Sequence, residues 1–418
     1  VTVPDATDAG QLELQASADR LRRLGINRIE SFAWRDLDDV ESGGSELHAD
    51  EIFSRWAGVG IDVVHRTSTQ DARTIDRNGY VVVQKGGRFD VFARVIAGQM
   101  WRRLVRRRPS STATLEIWNG VPWFGPLWAP RGRVVWMHHV HRDMWTDVLP
   151  EPFAGIGRLL ETRIAPMFYK RSTFATLSES SADQIEEIGI DRSQLTVIPP
   201  GVHERYTPGE TERSLVPEVV IVGRLAPVKR QRLALAALAS VRTRVPSLRV
   251  RLIGNGPDRP EIDAWIEEHC AQGWVTLSGR VTDDELVEAY RSAWLVVSAS
   301  HAEGWGMSLT EGAACATPCV ASDIAGHRGA VVDGVTGRLV ADIADLGPVI
   351  ADLLEQHELR SEMAHAATDH AAGLSWTAVA ARQLDVFCAA VALTSSPEAR
   401  SSRLRGSAVT GGARRPSA

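Results

Sequence analysis

The sequence predicts an α/β protein with two Rossmann-like, doubly wound parallel-sheet domains facing a cleft. Three observations carry this. Short β-rich runs alternate with helical stretches along most of the chain, the order that builds a parallel sheet. The alternation breaks at Pro199-Pro200-Gly201 and again at Thr207-Pro208-Gly209, then starts afresh. The length, 418 residues, exceeds what a single core usually serves.

The elements follow in chain order. Residues 1–27 form an N-terminal extension in which Leu12, Leu14, Ala18, Leu21 and Leu24 repeat at helical spacing up to Gly25. A strand at 28–34, a helix at 45–57 and a strand at 61–65 open a first domain, expected over residues 28–205. Runs of β-branched and aromatic residues predict its further strands at 80–84, 114–118, 134–138, 174–177 and 195–198. A second domain, 206–375, is expected to hinge near 206–217. Its strands are predicted at 219–222, 249–253, 275–277, 294–297, 317–321 and 337–340. No strand follows the apolar stretch 376–393, which is expected to be a helix crossing back onto the first domain. The tail 394–418 is rich in Ser, Gly, Arg and Pro and is expected to be disordered.

With 44% hydrophobic and 24% charged residues, the composition is that of an ordinary soluble enzyme. A net charge of -5 lacks the basic excess of a nucleic-acid binder. Four cysteines form no CxxC pair, so they read as reduced, buried packing residues and a cytoplasmic setting is expected. No apolar run reaches the length of about eighteen residues that a membrane span needs. The polar opening also lacks a signal peptide's apolar stretch.

In doubly wound sheets ligands bind beyond the carboxyl ends of the strands, so the strand-to-helix turns are where chemistry belongs. The clearest is Glu303-Gly304-Trp305-Gly306-Met307-Ser308-Leu309-Thr310-Glu311. Its two carboxylates lie about 10 Å apart by loop and helix geometry, which fits a sugar plus part of a nucleotide and is too long for a shared metal. Glu303 sits on a loop whose glycines bare the backbone to a ligand. Glu311 has a competing reading, because Ser308-Leu309-Thr310-Glu311 also fits a helix capping box.

Three other turns support the cleft. In Glu41-Ser42-Gly43-Gly44-Ser45 the paired glycines either admit a ligand to a helix N-terminus or only close a turn. The loop from Gly223 projects Arg224 and Lys229, a planar fork and a compact charge suited to phosphate, unless both are merely solvated. The Gly254-Asn255-Gly256-Pro257 turn is tight enough to admit a nucleotide near the backbone. On the first domain, His138, His139 and His141 close a strand and suit metal, proton transfer or a sugar. Extended backbone puts His139 and His141 on one face and His138 on the other, so no metal site is assigned. Glu116 and Ser180 sit at equivalent strand ends, with Ser180 expected to cap a helix. The stretch MWRRLVRRR from Met100 is either an amphipathic helix for an anionic membrane surface, through Arg102 to Arg108, or a solvated face.

In order and spacing, GGSE from Gly43, GRLAPVKR from Gly223, GNGP from Gly254, EGWGMSLTE from Glu303 and DGVTGRLV from Asp333 resemble the retaining family-4 group of GT-B glycosyltransferases. The resemblance spans roughly residues 28–393. It implies that Arg224 and Lys229 neutralise the donor diphosphate and that Glu303 contacts the transferred sugar's hydroxyls. Glu311 would hold the donor ribose, and the backbone of Met307, Ser308 and Leu309 would face phosphate. Gly223, Gly254, Asn255 and Gly256 would line the donor side, while Gly43 and Gly44 would shape the phosphate and acceptor pocket. The first-domain histidine near the sugar would be His141, with His138 the alternative. One departure stands out: Gly329 follows Gly326-His327-Arg328 where many relatives carry an acid.

The implied reaction is a metal-independent hexosyl transfer from a GDP- or UDP-linked donor to a glycan, lipid-linked or small-molecule acceptor, with no further cofactor and no nucleic-acid partner. A non-hydrolysing UDP-sugar 2-epimerase and a non-catalytic sugar-nucleotide-binding protein are the rival readings.

Overall fold

The computed structural model describes residues 6–39, 42–69, 71–87, 90–105, 111–129 and 132–395. Glu41, Arg106 to Arg108 and the tail beyond Ser395 lie outside the described residues, and with them the sequence readings placed there.

Two sheets form, as the alternation predicts. The first holds β1 (Arg28–Phe32), β2 (Asp62–Thr67), β3 (Arg73–Arg77), β4 (Tyr80–Gln84), β5 (Thr112–Ile117), β6 (Arg133–Trp136), β7 (Thr173–Thr176) and β8 (Leu195–Val197). Their order is β3-β4-β2-β1-β5-β6-β7-β8. All pairings are parallel except β3 with β4. That antiparallel edge strand was absent from the sequence reading. Asn78 and Gly79 turn it back with φ of 49° and 84°, the two positive values that a two-residue hairpin requires.

The second sheet holds β9 (Glu218–Val222), β10 (Arg249–Ile253), β11 (Val275–Gly279), β12 (Leu295–Ser298), β13 (Cys319–Ser322) and β14 (Gly337–Val340). It is wholly parallel in the order β11-β10-β9-β12-β13-β14. The chain leaves β9 toward one side and returns to β12 on the other, which makes the gap above this pair the switch point. In the first sheet the same reversal falls between β1 and β5.

The N-terminal helix Ala6–Arg23 and the long helix Trp376–Ser395 pack on each other and on the first sheet. Leu14, Ala18 and Leu21 of one and Trp376, Leu384 and Phe387 of the other join Trp56 and Trp136 in one core. Trp56 donates its indole N–H to the Ala380 carbonyl at 2.9 Å, and Trp136 donates to Gln383 at 2.8 Å. Length and composition alone would let the long helix cross a membrane, but this packing accounts for its apolar face. It runs two residues past the point where disorder was expected, through Thr394 and Ser395.

The cysteine reading needs one correction. Cys315 and Cys319 are buried, and burial pushes both thiols up to about 12, while Cys388 is half-buried and Cys270 is exposed.

Candidate active site

On the second domain the site grows from the switch point. Beyond β9 the chain passes Gly223 and Arg224 to a single 3-10 turn, Pro227–Lys229. Beyond β12 it runs through Glu303 to the helix Met307–Ala314. The His301 N–H donates to the Val228 carbonyl at 3.0 Å and pins the two loops together. Lys229 thereby reaches Glu303, with Nζ 2.8 Å from Oε1.

Glu303 has a second partner that the sequence reading did not assign. His327 Nε2 lies 3.3 Å from the same Oε1, and its Nδ1 lies 2.8 Å from the Ser322 carbonyl oxygen. The fully buried ring thus ties the Glu303 carboxylate to the end of β13. Burial pushes the Glu303 carboxyl up. The Lys229 charge and the His327 contact outweigh it and hold the carboxyl well below the usual range. Glu303 is therefore an anion beside the Lys229 ammonium, braced by the His327 ring, with 13% of its side chain exposed to the cleft.

The capping-box reading of Ser308 to Glu311 is overturned. Gly306, at φ 116°, is the N-cap, and the helix begins at Met307, two residues too early for Ser308 to cap it. Glu311 instead accepts a hydrogen bond from the Tyr290 hydroxyl at 2.8 Å, and burial raises its carboxyl. Met307, Ser308 and Leu309 form the first turn, where the N–H groups of a helix lack intrahelical acceptors. Leu309 N–H is taken by the Gly306 carbonyl at 3.0 Å.

The glycines of the donor side have packing reasons of their own. A Cβ on Gly254 would sit 1.9 Å from the Gly223 carbonyl oxygen, and one on Gly256 would sit 2.2 Å from that of Leu225. The turn through Asn255 lies directly against the Arg224 loop, with Leu225 N–H donating to the Asn255 carbonyl at 3.0 Å. Gln231 donates to the Arg224 carbonyl at 2.8 Å, fixing that loop's backbone. The departure at Gly329 is steric: a Cβ there would meet the Trp305 indole at 2.4 Å.

The first domain supplies the facing wall. The helix Gly44–Gly58 starts at the GGSE loop, with Gly43 as N-cap donating its N–H to Glu46 at 2.8 Å. A Cβ on Gly44 would lie 3.1 Å from Met307 Sδ, so the two helix N-termini approach across the cleft. Asn119, beyond β5, donates to Ser45 at 3.3 Å and steadies the start of that helix.

The three histidines separate as the extended backbone requires. The His138 ring turns into the core against His48 and Trp136, and burial brings it down to about 4. His139 and His141 share the other face with ring centroids 4.8 Å apart. His139 lies within the electrostatic reach of Glu303. His141 Nδ1 is 3.4 Å from the buried Glu161 carboxylate. Glu161 also accepts the backbone N–H groups of His141 and Arg142 and the Trp145 indole N–H, at 3.1, 3.3 and 3.0 Å. No sequence signal marked Glu161; it joins the site only through the fold.

Two strand-end residues fall elsewhere. Glu116 is buried under the Tyr169 hydroxyl, which donates to it at 2.6 Å, and serves the core. Ser178, not Ser180, caps the helix Glu179–Glu187, while Ser180 donates to the Ala325 carbonyl at 2.7 Å across the domain boundary. Among the described residues no group of three or more His, Cys, Asp or Glu gathers to hold a metal.

Two Rossmann-like domains whose strand ends meet over a Lys–Glu–His cluster define a nucleotide-dependent cleft protein of the GT-B type. Residues 207–370 match the family described as Glycosyl transferases group 1. A D-inositol 3-phosphate glycosyltransferase from Kribbella flavida is 30% identical over 417 residues, covering 88% of this chain and 95% of its own. The chain belongs to the group 1 glycosyltransferase family. It is also 35% identical over 240 residues to a protein of the same description from Nocardia farcinica, where the match spans about half of each chain, 52%. Among solved structures, sucrose-phosphate synthase from Thermosynechococcus elongatus superposes with a TM-score of 0.71 at 18% identity. The match covers 86% of this chain and 98% of that one, a likeness of fold.

Proposed function

We propose that this chain transfers a hexosyl group from a UDP- or GDP-linked donor to a small hydroxylated acceptor, with retention at the anomeric carbon. The observation that carries the reading is the Lys229–Glu303–His327 cluster at the switch point, with His139 within electrostatic reach across the cleft. A departing diphosphate needs cations and oriented N–H groups, and Arg224, Lys229 and the helix start at Met307 lie on one side of the cleft. This arrangement supplies the charge without a metal ion. Positive charge develops on the anomeric carbon as the glycosyl–phosphate bond lengthens, and Glu303, the proposed contact of the transferred sugar, is the anion proposed to stabilise that charge. The acceptor oxygen forms its bond on the face the diphosphate leaves, and its proton passes to the departing phosphate oxygen. Closure of the domains excludes water.

His141, held by Glu161, is proposed as the first-domain histidine at the sugar, because the His138 ring is turned into the core. For the acceptor, the relatives' description as D-inositol 3-phosphate glycosyltransferases makes a phosphorylated cyclic polyol the first choice. Glycans and lipid-linked acceptors follow.

The test is incubation in EDTA with UDP- and GDP-hexoses, with and without inositol 3-phosphate, following free nucleotide and product by NMR. Acceptor-dependent nucleotide release with an unchanged anomeric configuration is expected. Release without acceptor, giving a rearranged sugar, would assign the epimerase reaction instead. Binding without turnover across polyol, glycan and lipid-linked acceptors would leave a non-catalytic binder.

A further inference from the structure

We infer that one face of the first domain docks on an anionic lipid bilayer, through the segment from Phe153 to Arg171. This segment consists of the helix Phe153–Leu159, a π turn Leu160–Ile164 and the helix Pro166–Tyr169. Its polarity is inverted relative to a surface helix. The small or polar residues Ala154, Gly157, Glu161 and Ala165 point inward, and a Cβ on Gly157 would sit 2.6 Å from the Trp145 ring. The large apolar side chains point outward: Phe153, Ile156 and Leu159 are 53–60% exposed, and Met167 is 69% exposed. Core packing gives no reason for this outward stripe, since an ordinary surface helix places polar residues there.

The stripe does not end with the segment. The Phe168 ring meets Phe124 edge-on at 5.4 Å, and the short helix Gly125–Trp128 then bridges to the helix Asp90–Val105. On that helix Trp101 and Leu104 are 57% and 83% exposed. The sequence reading looked for membrane attachment at Arg102 to Arg108. Within the described residues this end contributes the exposed Trp101, Leu104 and Val105 together with the exposed Arg102, and further basic charge comes from residues 153–171.

Charge identifies the occupant. From Phe153 to Arg171 the basic residues are Arg158, Arg163, Lys170 and Arg171, while the one acid, Glu161, is fully buried. Arg158 is half-buried and lies 3.8 Å from Glu151, so in a chain of net charge -5 the exposed positive charge beside the apolar side chains is that of Arg163, Lys170 and Arg171. Arg142, Arg158, Arg163 and Lys170 also line a cavity of about 670 Å³ beside Met167, wide enough for lipid headgroups; its one acid, Glu187, is paired with Arg142 and leaves the lining net positive. A second copy docked two-fold on the same face would set these cations against their own images. An anionic bilayer complements both halves of the pattern, with apolar side chains entering the headgroup–acyl boundary and cations meeting lipid phosphates. Through Glu161 the face is bonded to the His141 and Arg142 backbone, so the bilayer would lie on the first-domain side of the cleft. The inference does not depend on the transfer chemistry.

The test is co-sedimentation of the full chain with phosphatidylcholine vesicles, with and without phosphatidylglycerol, at low and high salt. Binding to the anionic vesicles at low salt, weakened by salt, is expected. Neutralising Arg163 or Lys170 to Gln should weaken partition by about fivefold each. The double variant Ile156→Ser, Met167→Ser should lose roughly tenfold or more while melting like the parent. No binding to anionic vesicles at low salt would overturn the inference, as would undiminished binding of the double variant. So would a dimer in light scattering that the double variant dissolves, which would give the face to a second copy.

Discussion

Replacing Glu303 by glutamine removes one negative charge from the switch point and keeps the shape of the side chain. At rest its carboxylate holds Lys229 at 2.8 Å and His327 at 3.3 Å. A diphosphate arriving at Lys229 must compete with that carboxylate for the ammonium, and it must also accept a second anion nearby. The gross attraction between unit charges at this spacing, in an effective dielectric of 20, is about 6 kcal/mol. Desolvation of the partly buried pair cancels most of it, leaving about 1–3 kcal/mol of net coupling. In E303Q that coupling no longer opposes the nucleotide. The free nucleoside diphosphate should then bind roughly ten- to hundredfold more tightly.

Turnover should move the other way. Removing a preorganised group aimed at developing charge costs about 3–4 kcal/mol of transition-state stabilisation, so kcat should fall by roughly 100- to 1,000-fold. Calorimetric titration of UDP and GDP, alongside acceptor-dependent turnover, reads both quantities. Opposite movements cannot come from a damaged fold, which would weaken both. Weaker nucleotide binding in E303Q would refute the reasoning, because it would make Glu303 a scaffold that orients Lys229 for phosphate. Near-parental turnover would refute the catalytic role outright.

Three further outcomes are expected. His327→Asn leaves the Ser322 carbonyl or the Glu303 carboxylate short of a donor, so kcat should fall by about ten- to hundredfold while nucleotide affinity holds. An equal loss of both would mean the ring only supports the fold. Gly254→Ala, with its Cβ 1.9 Å from the Gly223 oxygen at φ 141°, should lower stability by about 2 kcal/mol or more in urea melts and weaken nucleotide binding. A parental melt would show that the two loops separate freely. Acid should destabilise the protein well above the carboxylate range: burial lowers His65 and His138 to about 4 from 6.5, so the unfolded chain binds more protons between those values. Stability is therefore complete above about pH 6.5 and falls as pH drops toward 4, by about 3 kcal/mol for each histidine. A flat profile across that window would contradict the burial of these rings.

The legible part of this protein is what repeats or clusters locally. Alternating strands and helices announce both sheets, and the loops holding Lys229 and Glu303 read as strand ends from the sequence alone. What stayed hidden depends on long-range closure. His327 lies 24 positions from Glu303, and only the return of β13 beside β12 brings them together. Glu161 sits on a helical segment whose outer face is apolar, so its periodicity hid the inward carboxylate. The hairpin at β3 had its signal in Asn78-Gly79, but the charged Arg73–Arg77 run beside it lacks the apolar alternation that usually accompanies such a turn. The capping box failed for a different reason. Its four residues were right, but Gly306 at positive φ started the helix before them and freed Glu311 for Tyr290.

The motif glycines also acquire a sharper meaning from the assembled cleft. Read locally, glycines beside Glu303 and in the GGSE loop bare the backbone to a ligand. In the folded chain they also set how closely the domains approach. A Cβ on Gly304 would lie 3.0 Å from the His138 carbonyl oxygen, and one on Gly44 would lie 3.1 Å from Met307 Sδ. Each contact joins a first-domain strand-end loop or helix start to the second-domain loop that carries the acid. A side chain at either point would push the walls apart by some tenths of an ångström. The affected distance is the one across which His139 reaches Glu303. Transition-state stabilisation by fixed charges falls off with misplacement of this size. These glycines therefore act on the chemistry through the width of the cleft.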